Sequence, residues 1–270
     1  MVSEDFVEQV HDANVAFYRV WAGYYDRVHR DIFNAMEQKR IVCVLRLVDG
    51  LVSDNCKRAL DFGAGTGNIA GKLLDIGYQV TAVDISKEMC EILIGRHRDS
   101  IKNGRLSVVT SRIEDVTFRK EEFDLIVCYS VLHHLPDYVG TIRKLAGFLK
   151  RGGVMCLDHE ASPVRWIRFD KKRERVRSAL QFSDTLLNRF FSVVSWGHEF
   201  PVIDHSMADY WTKHKHHIDH VKIGEVFKQE NFSYFQCHDY YNRQCDLFNP
   251  LWHVYKRLYA PDTSLWIARK

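Results

Sequence analysis

The sequence predicts an α/β protein built on a largely parallel sheet. Three observations carry that expectation. Strand-length apolar runs alternate with helical patterns from residue 57 to 158, an order that implies parallel strands joined by right-handed crossovers. One run, Phe123 to Ser130, is almost wholly apolar, as a strand covered on both faces should be. Between the first strand and the first helix of the series lies Asp61-Phe62-Gly63-Ala64-Gly65-Thr66-Gly67-Asn68. Glycines at alternate positions let a backbone turn sharply and approach a ligand, and the helix that follows points free N–H groups at the turn.

The elements follow in order. Phe6, Val10, Ala13, Phe17 and Val20 stand at helical spacing, followed by Tyr25, Val28, Ile32 and Met36, then Ile41, Val44, Leu45, Val48 and Leu51. Two or three amphipathic helices therefore precede the first strand. They cap the glycine turn or cover a sheet face, and the aromatic density at Phe17, Tyr18, Trp21, Tyr24 and Tyr25 leans to a cap. A strand over 57–62 leads to a helix over 67–76 that stops at Gly77, and a strand over 78–84 follows. Ser86 reads as the N-cap of the next helix, with Glu88 in its first turn. A strand over 105–109, a polar segment to residue 122 and the strand from Phe123 come next. Pro136 and Asp137 open a helix that Gly152-Gly153 terminate, and a strand over 154–158 closes the series. Residues 161–211 are aromatic and basic, with the run Lys171 to Arg177, and read as a helical insertion. Alternation resumes with a helix near 216–230 and strands near 232–238 and 264–269.

Composition bounds the function. The 270 residues are 46% apolar and 13% aromatic, enough for a real core. A net charge of +3 is too mild to imply nucleic-acid binding by itself. The acidic start, Met1 to Asp5, leads into an amphipathic pattern and reads as no signal peptide. The best apolar run, Ile41 to Val52, is interrupted by Arg46 and Asp49, so no membrane span is expected. Cys43, Cys56, Cys90, Cys128, Cys156, Cys237 and Cys245 contain no Cys-x-x-Cys pair. That fits reduced thiols in a cytoplasmic protein better than a disulfide framework or structural zinc.

The glycine turn alone leaves its ligand open. Gly65-Thr66-Gly67-Asn68-Ile69-Ala70 satisfies a dinucleotide pattern, and Asp84 ends the next strand, where an acid holds ribose hydroxyls. Asp84 serves any nucleoside. Asp61 discriminates better, because an acid beside the turn would repel a pyrophosphate and welcome a cationic amino group. S-adenosylmethionine, with a ribose, an ammonium, a sulfonium and no phosphate, fits.

Five segments then carry a resemblance. Asp61 to Gly67 resembles the first motif of the class I S-adenosylmethionine-dependent methyltransferases, and Val83-Asp84-Ile85-Ser86 with Met89 resembles their second. Ile113 to Phe118 is similar to the adenine-flanking segment, Phe123 to Leu135 to the fourth-strand motif, and Leu149 to Gly153 to the turn before strand five. The nearest subgroup is the small-molecule branch of ubiquinone/menaquinone-type enzymes. The resemblance implies a Rossmann-like, doubly wound seven-stranded sheet, mostly parallel with an antiparallel last strand. It covers residues 57–160 well and the N-terminus and 161–211 hardly at all; with the patterns read above, the chain is expected to be one domain with a helical cap (1–56), a cofactor core (57–160), a helical substrate lid (161–211) and the rest of the core (212–270). The resemblance implies S-adenosylmethionine as cofactor, with S-adenosylhomocysteine as product. Gly63, Ala64 and Gly65 would face its methionine and ribose parts, Asp61 its ammonium and Asp84 its ribose. Ile85, Met89, Ile113 and Glu114 would surround the adenine, and Tyr129 and Tyr25 would contact the remainder. Arg112 stands where much of this branch has an acid for the adenine amino group, leaving Ser111, Glu114 or Asp115 for that contact.

In-line methyl transfer needs positioning first and a base only where the acceptor carries a proton. His159 is the first candidate for that base, with His133 and Glu160 beside it; His133 and His134 also read as structural or cofactor-shielding. His216 and His220 stand four apart, as two ligands on one helix face would. Nothing nearby completes a site, so no metal is expected. His214, His216, His217 and His220 instead belong at the pocket mouth. The expected reaction is methyl transfer to O, N or C of a small organic acceptor. An RNA target drawn by Lys171 to Arg177, a non-catalytic cofactor-binding subunit and a nicotinamide dehydrogenase are the rival readings.

Overall fold

The computed structural model describes residues 3–52, 57–163, 207–208, 211, 218–240, 261 and 263–270. Seven strands form one sheet: β1 (Arg58–Phe62), β2 (Gln79–Asp84), β3 (Leu106–Thr110), β4 (Phe123–Tyr129), β5 (Leu149–Ala161), β6 (Tyr234–Tyr240) and β7 (Thr263–Arg269). Their order is β3-β2-β1-β4-β5-β7-β6. β1 to β5 are parallel, and β7 runs antiparallel to both β5 and β6. The chain thus reverses direction on the sheet between β1 and β4, where the crossovers switch faces and a crevice opens at the strand ends.

Helices α1 (Glu4–Trp21), α2 (Tyr25–Val28), α3 (Arg30–Phe33) and α4 (Ala35–Asp49) come first. Ser3 caps α1 by accepting from the Phe6 N–H, and Asn34 caps α4 by accepting from the Glu37 N–H. Then come α5 (Asn68–Asp75), α6 (Lys87–Arg96), α7 (Arg98–Lys102), α8 (Tyr138–Phe148) and α9 (His220–Gln229). Ser86 caps α6 through the Met89 N–H, as the sequence predicts. Asp137 caps α8 by accepting from the Gly140 N–H.

Alternate residues of the strands feed two cores. Leu60, Phe62, Ile126 and Cys128 pack with Ile142 and Leu145 of α8 and Ile223 and Phe227 of α9. Ala59, Leu125 and Val127 pack on the other face with Ile41, Leu45 and Val48 of α4 and Ile69 and Leu73 of α5. Each fully buried side chain of this size contributes about 1.5–3 kcal/mol over leaving it in water.

Three expectations are corrected. β5 extends to Ala161 rather than stopping at residue 158, because Asp158 and Glu160 find charged or polar partners and stay buried. α9 begins at His220, since Asp219 accepts from the Val221 and Lys222 N–H groups and sets the cap there. The buried face of α1 is Val10, His11 and Asn14, while Val20 is exposed. Likewise Glu37 is buried on α4 and Met36 is exposed. The insertion read over 161–211 lies almost wholly outside the described residues, as do Lys171 to Arg177, His214, His216 and His217. Among the described residues no helix is long and apolar enough to cross a membrane.

Candidate cofactor and acceptor site

A cavity of about 720 Å³, counting its open mouth, lies at the carboxyl ends of β1, β2 and β4. Its floor is the glycine turn. Gly63 holds φ +74°, and a Cβ there would strike the Val131 side chain. Gly65 holds φ +52°, and a Cβ there would meet nothing within 4 Å. The turn is tied down by the Gly63 and Ala64 N–H groups, which donate to the Val83 carbonyl at 2.8 and 3.0 Å. Asp84 accepts from the Gly65 N–H and the Ser86 N–H, both at 2.8 Å. Each carboxylate oxygen keeps a lone pair for a further donor. Burial raises the Asp84 carboxyl above its ordinary value, while the backbone donors of Ser86, Gly65 and Ile85 oppose the rise.

Asp61 sits buried beneath this floor and does not line the cavity. Its Oδ2 has no hydrogen-bond partner. Burial pushes its pKa up to about 7, a rise the Ala70 backbone opposes and the Asp84 charge assists. A buried orphan oxygen of this kind suits a nearby cation.

The opposite wall comes from the N-terminal helices. His11, Asn14, Tyr18 and Tyr25 all line the cavity. Asn14 Nδ2 donates to the His134 carbonyl at 3.3 Å, and the Tyr18 hydroxyl lies 3.1 Å from His134 Nε2. His134 Nδ1 donates to the Ala208 carbonyl at 2.7 Å, which leaves Nε2 to accept from Tyr18. The Thr66 hydroxyl donates to Asp26 at 2.7 Å, and Arg96 pairs with the same carboxylate at 2.6 Å. Beside the cavity, Arg40 bridges Glu37 at 2.5 Å and Asp158 at 2.8 Å. Tyr129 donates to Glu37 at 2.8 Å and Tyr240 to Asp158 at 3.1 Å. This buried network fastens α4 to the tips of β4, β5 and β6.

The structure sorts the residues expected from sequence. Gly63, Gly65, Asp84, Ile85, Met89, Ile113, Tyr129 and Tyr25 share the cavity wall. Ala64 is buried behind it, and Glu114 is exposed with its carboxylate 3.7 Å from His11 Nε2. His133 and Glu160 are off the wall and bond each other at 2.8 Å. Glu160 also accepts from the Val131 and Leu132 N–H groups. Burial would raise its carboxyl, yet His133 and those two donors bring it below the ordinary value. The pair clamps β5 to the end of β4. His159 is also off the wall, 8% exposed, stacked on Tyr129 and 3.2 Å from the Ser130 hydroxyl. Ser130 and His159 both hold left-handed backbone, φ 57° and 64°, at the tips of neighbouring strands, a strain common at functional sites. His220 joins Cys237 Sγ at 3.6 Å, near Asp239.

Sequence reasoning missed His11 and Asn14, named Tyr18 only within an aromatic cap, and gave His134 only a structural or shielding part. The signal was present: positions 11, 14 and 18 fall on one helical face and include two polar residues beside the apolar stripe.

The sheet order, glycine floor and strand-tip acid together make the arrangement in which open α/β sheets hold a nucleoside. A family model described as "Methyltransferase domain" matches residues 60–157. A ubiquinone biosynthesis O-methyltransferase of Vibrio vulnificus is 33% identical over 116 residues, 42% of this chain and 47% of the relative. The chain therefore spans about half the length of that curated relative. Among solved structures, a Haemonchus contortus phosphoethanolamine N-methyltransferase 2 with S-adenosylhomocysteine superposes at TM-score 0.60 and 13% identity, over 97% of this chain and 60% of that one. Magnesium protoporphyrin IX methyltransferase of Synechocystis PCC 6803, also with S-adenosylhomocysteine, superposes at 0.53 and 15% identity, over 94% and 97%. At such identities these two show the fold. Residues 60–157 are thus similar to a methyltransferase domain, on a fold shared with solved methyltransferases that hold S-adenosylhomocysteine.

Proposed function

We propose that the protein transfers a methyl group from S-adenosylmethionine to a small organic acceptor. The observation that carries the reading is the convergence of the open Gly65 floor, the Asp84 carboxylate and the orphaned Asp61 oxygen around one cavity. Asp84 accepts from the ribose hydroxyls, Ile85 and Ile113 sandwich the base, and Asp61 supplies negative field for the ammonium. The bound cofactor supplies a methyl on cationic sulfur, displaced in line with loss of a neutral thioether. The chain's own task is to hold donor and acceptor in line and exclude water, worth roughly 7–11 kcal/mol of barrier.

Among the described residues, His11 and His134 are the imidazoles on the cavity wall. His134 replaces His159 as the candidate to take a proton from an acceptor hydroxyl or amine, through its Nε2 and the Tyr18 hydroxyl. An acceptor of small-molecule type is supported by the relative in Vibrio vulnificus, whose name is that of a ubiquinone biosynthesis O-methyltransferase.

Calorimetric titration with S-adenosylmethionine, coupled to methyl-transfer assays on phenol, catechol and amine acceptors, tests the reading. Asp84→Ala is expected to weaken cofactor binding about 100-fold, since it removes charge-assisted bonds to two hydroxyls. Unchanged affinity would refute the ribose assignment. His134→Ala is expected to lower turnover about 100-fold or more on an acceptor that must lose a proton; equal turnover rejects the proton role.

A further inference from the structure

The adenine end of the cavity poses a problem of chemistry. An exocyclic amino group there needs an acceptor, and the position that would carry an acid is Arg112. The Arg112 guanidinium turns outward to α1, 2.7 Å from Glu8 and 4.0 Å from Asp12. The Ser111 hydroxyl donates to the Arg112 carbonyl. Glu114 and Asp115 are exposed. Glu8, His11 and Asp12 fall on one face of α1 at i, i+3 and i+4. The two acids flank the outside of that face and engage Arg112, while His11 is only 4% exposed and lines the cavity.

The two His11 nitrogens have opposite surroundings. Nε2 lies 3.7 Å from the Glu114 carboxylate, a partner that favours the proton on that nitrogen. Nδ1 is buried with no hydrogen-bond partner. Ring nitrogens of imidazole point far apart, so with Nε2 toward the exposed carboxylate, Nδ1 turns away from it and is left a bare acceptor. A buried acceptor left empty costs about 1–3 kcal/mol, a cost a ligand donor would relieve. Burial also holds the imidazole below its ordinary pKa, against the pull of Glu114, and so favours the neutral ring.

We infer that His11 Nδ1 accepts the hydrogen bond of the adenine amino group, with Glu114 as the positioning residue that fixes the tautomer. The acceptor that a β3-loop acid would supply is thereby provided from α1, and base selectivity comes from the N-terminal helix. This inference rests on the methyl-donor reading of the same cavity.

The test compares S-adenosylhomocysteine with S-inosylhomocysteine, in which a carbonyl oxygen replaces the amino group. Calorimetry on the full chain is expected to give at least about tenfold tighter binding of the adenosyl compound, the value of one net hydrogen bond. His11→Phe keeps a ring and removes the acceptor; it should bring the two affinities within about threefold, and His11→Gln, with its amide oxygen, should restore part of the gap. A wild-type chain that binds neither compound overturns the methyl-donor reading itself. Binding of both with a ratio untouched by His11→Phe overturns only the role of His11. Should His11→Phe fail to fold, the ¹⁵N shift of His11 Nδ1 in the unmodified protein decides. It should move on adding S-adenosylhomocysteine and not on adding S-inosylhomocysteine; a stationary signal with the adenosyl ligand bound rejects the contact.

Discussion

The two walls of the cavity are made of different material. The sheet-side wall is largely backbone: the Gly63 and Ala64 N–H groups on Val83, and the Gly65 N–H on Asp84. The helix-side wall is side chains meeting across long stretches of chain. Asn14 and Tyr18 reach His134, and behind that wall, beside the cavity, Arg40 joins Glu37 to Asp158. A backbone wall fixes where a nucleoside lies, because its donors move only if the sheet moves. A side-chain wall is set by packing of α1 and α4, and it can carry selectivity that differs between proteins sharing the same floor.

Substitutions can break this contrast, and the largest effect is expected on the helix side. Arg40→Ala leaves Glu37 and Asp158 buried without their cation. Denaturant unfolding should show a loss of about 3 kcal/mol, and a loss under about 0.5 kcal/mol would mean the network is incidental. On the sheet side, Asp61 ties stability to pH. Its ordinary pKa of 3.8 is raised to about 7 in the fold, so the folded protein holds that proton more tightly than the unfolded chain. The stabilisation is full below pH 3.8 and is lost as pH rises to about 7, with a slope of up to about 1.4 kcal/mol per unit. Asp61→Asn should flatten that slope in unfolding midpoints from pH 5 to 8; parallel curves for the two proteins contradict the assignment.

Gly65→Ala is expected to cost about 1–2 kcal/mol of stability for its left-handed backbone, and to weaken S-adenosylhomocysteine further by placing a methyl in the open floor. Equal losses with and without ligand would move the ligand away from Gly65. The smallest effect is reserved for Asn14→Ala, about 1 kcal/mol for the bonds its amide donates to the Val10 and His134 carbonyls. Thermal unfolding measures it, and no change would show that α1 is held by packing alone.

The contrast also explains what was legible in the sequence. The floor announces itself, because glycine adopts left-handed backbone at little cost and leaves room for a ligand, and Asp61 and Asp84 stand at the ends of the strands that flank it. The seven strands were readable from apolar runs for the same local reason. The helix-side wall was not. His11 reads as an ordinary polar position until the fold brings Glu114 and the cavity to it, and Glu37 and Asp158 look exposed until Arg40 makes their burial tolerable. His133 and Glu160 mislead in the opposite sense: placed at strand tips where chemistry belongs, they satisfy each other and two N–H groups instead.

The central claim is that both walls close on the same ligand. Amide hydrogen exchange of the full chain, with and without S-adenosylhomocysteine, tests it most directly. Slowed exchange is predicted in two separate stretches, residues 63–66 with 84–86 on the sheet side and residues 11–18 on α1. Protection confined to the sheet side, with α1 exchanging as before, would contradict the account.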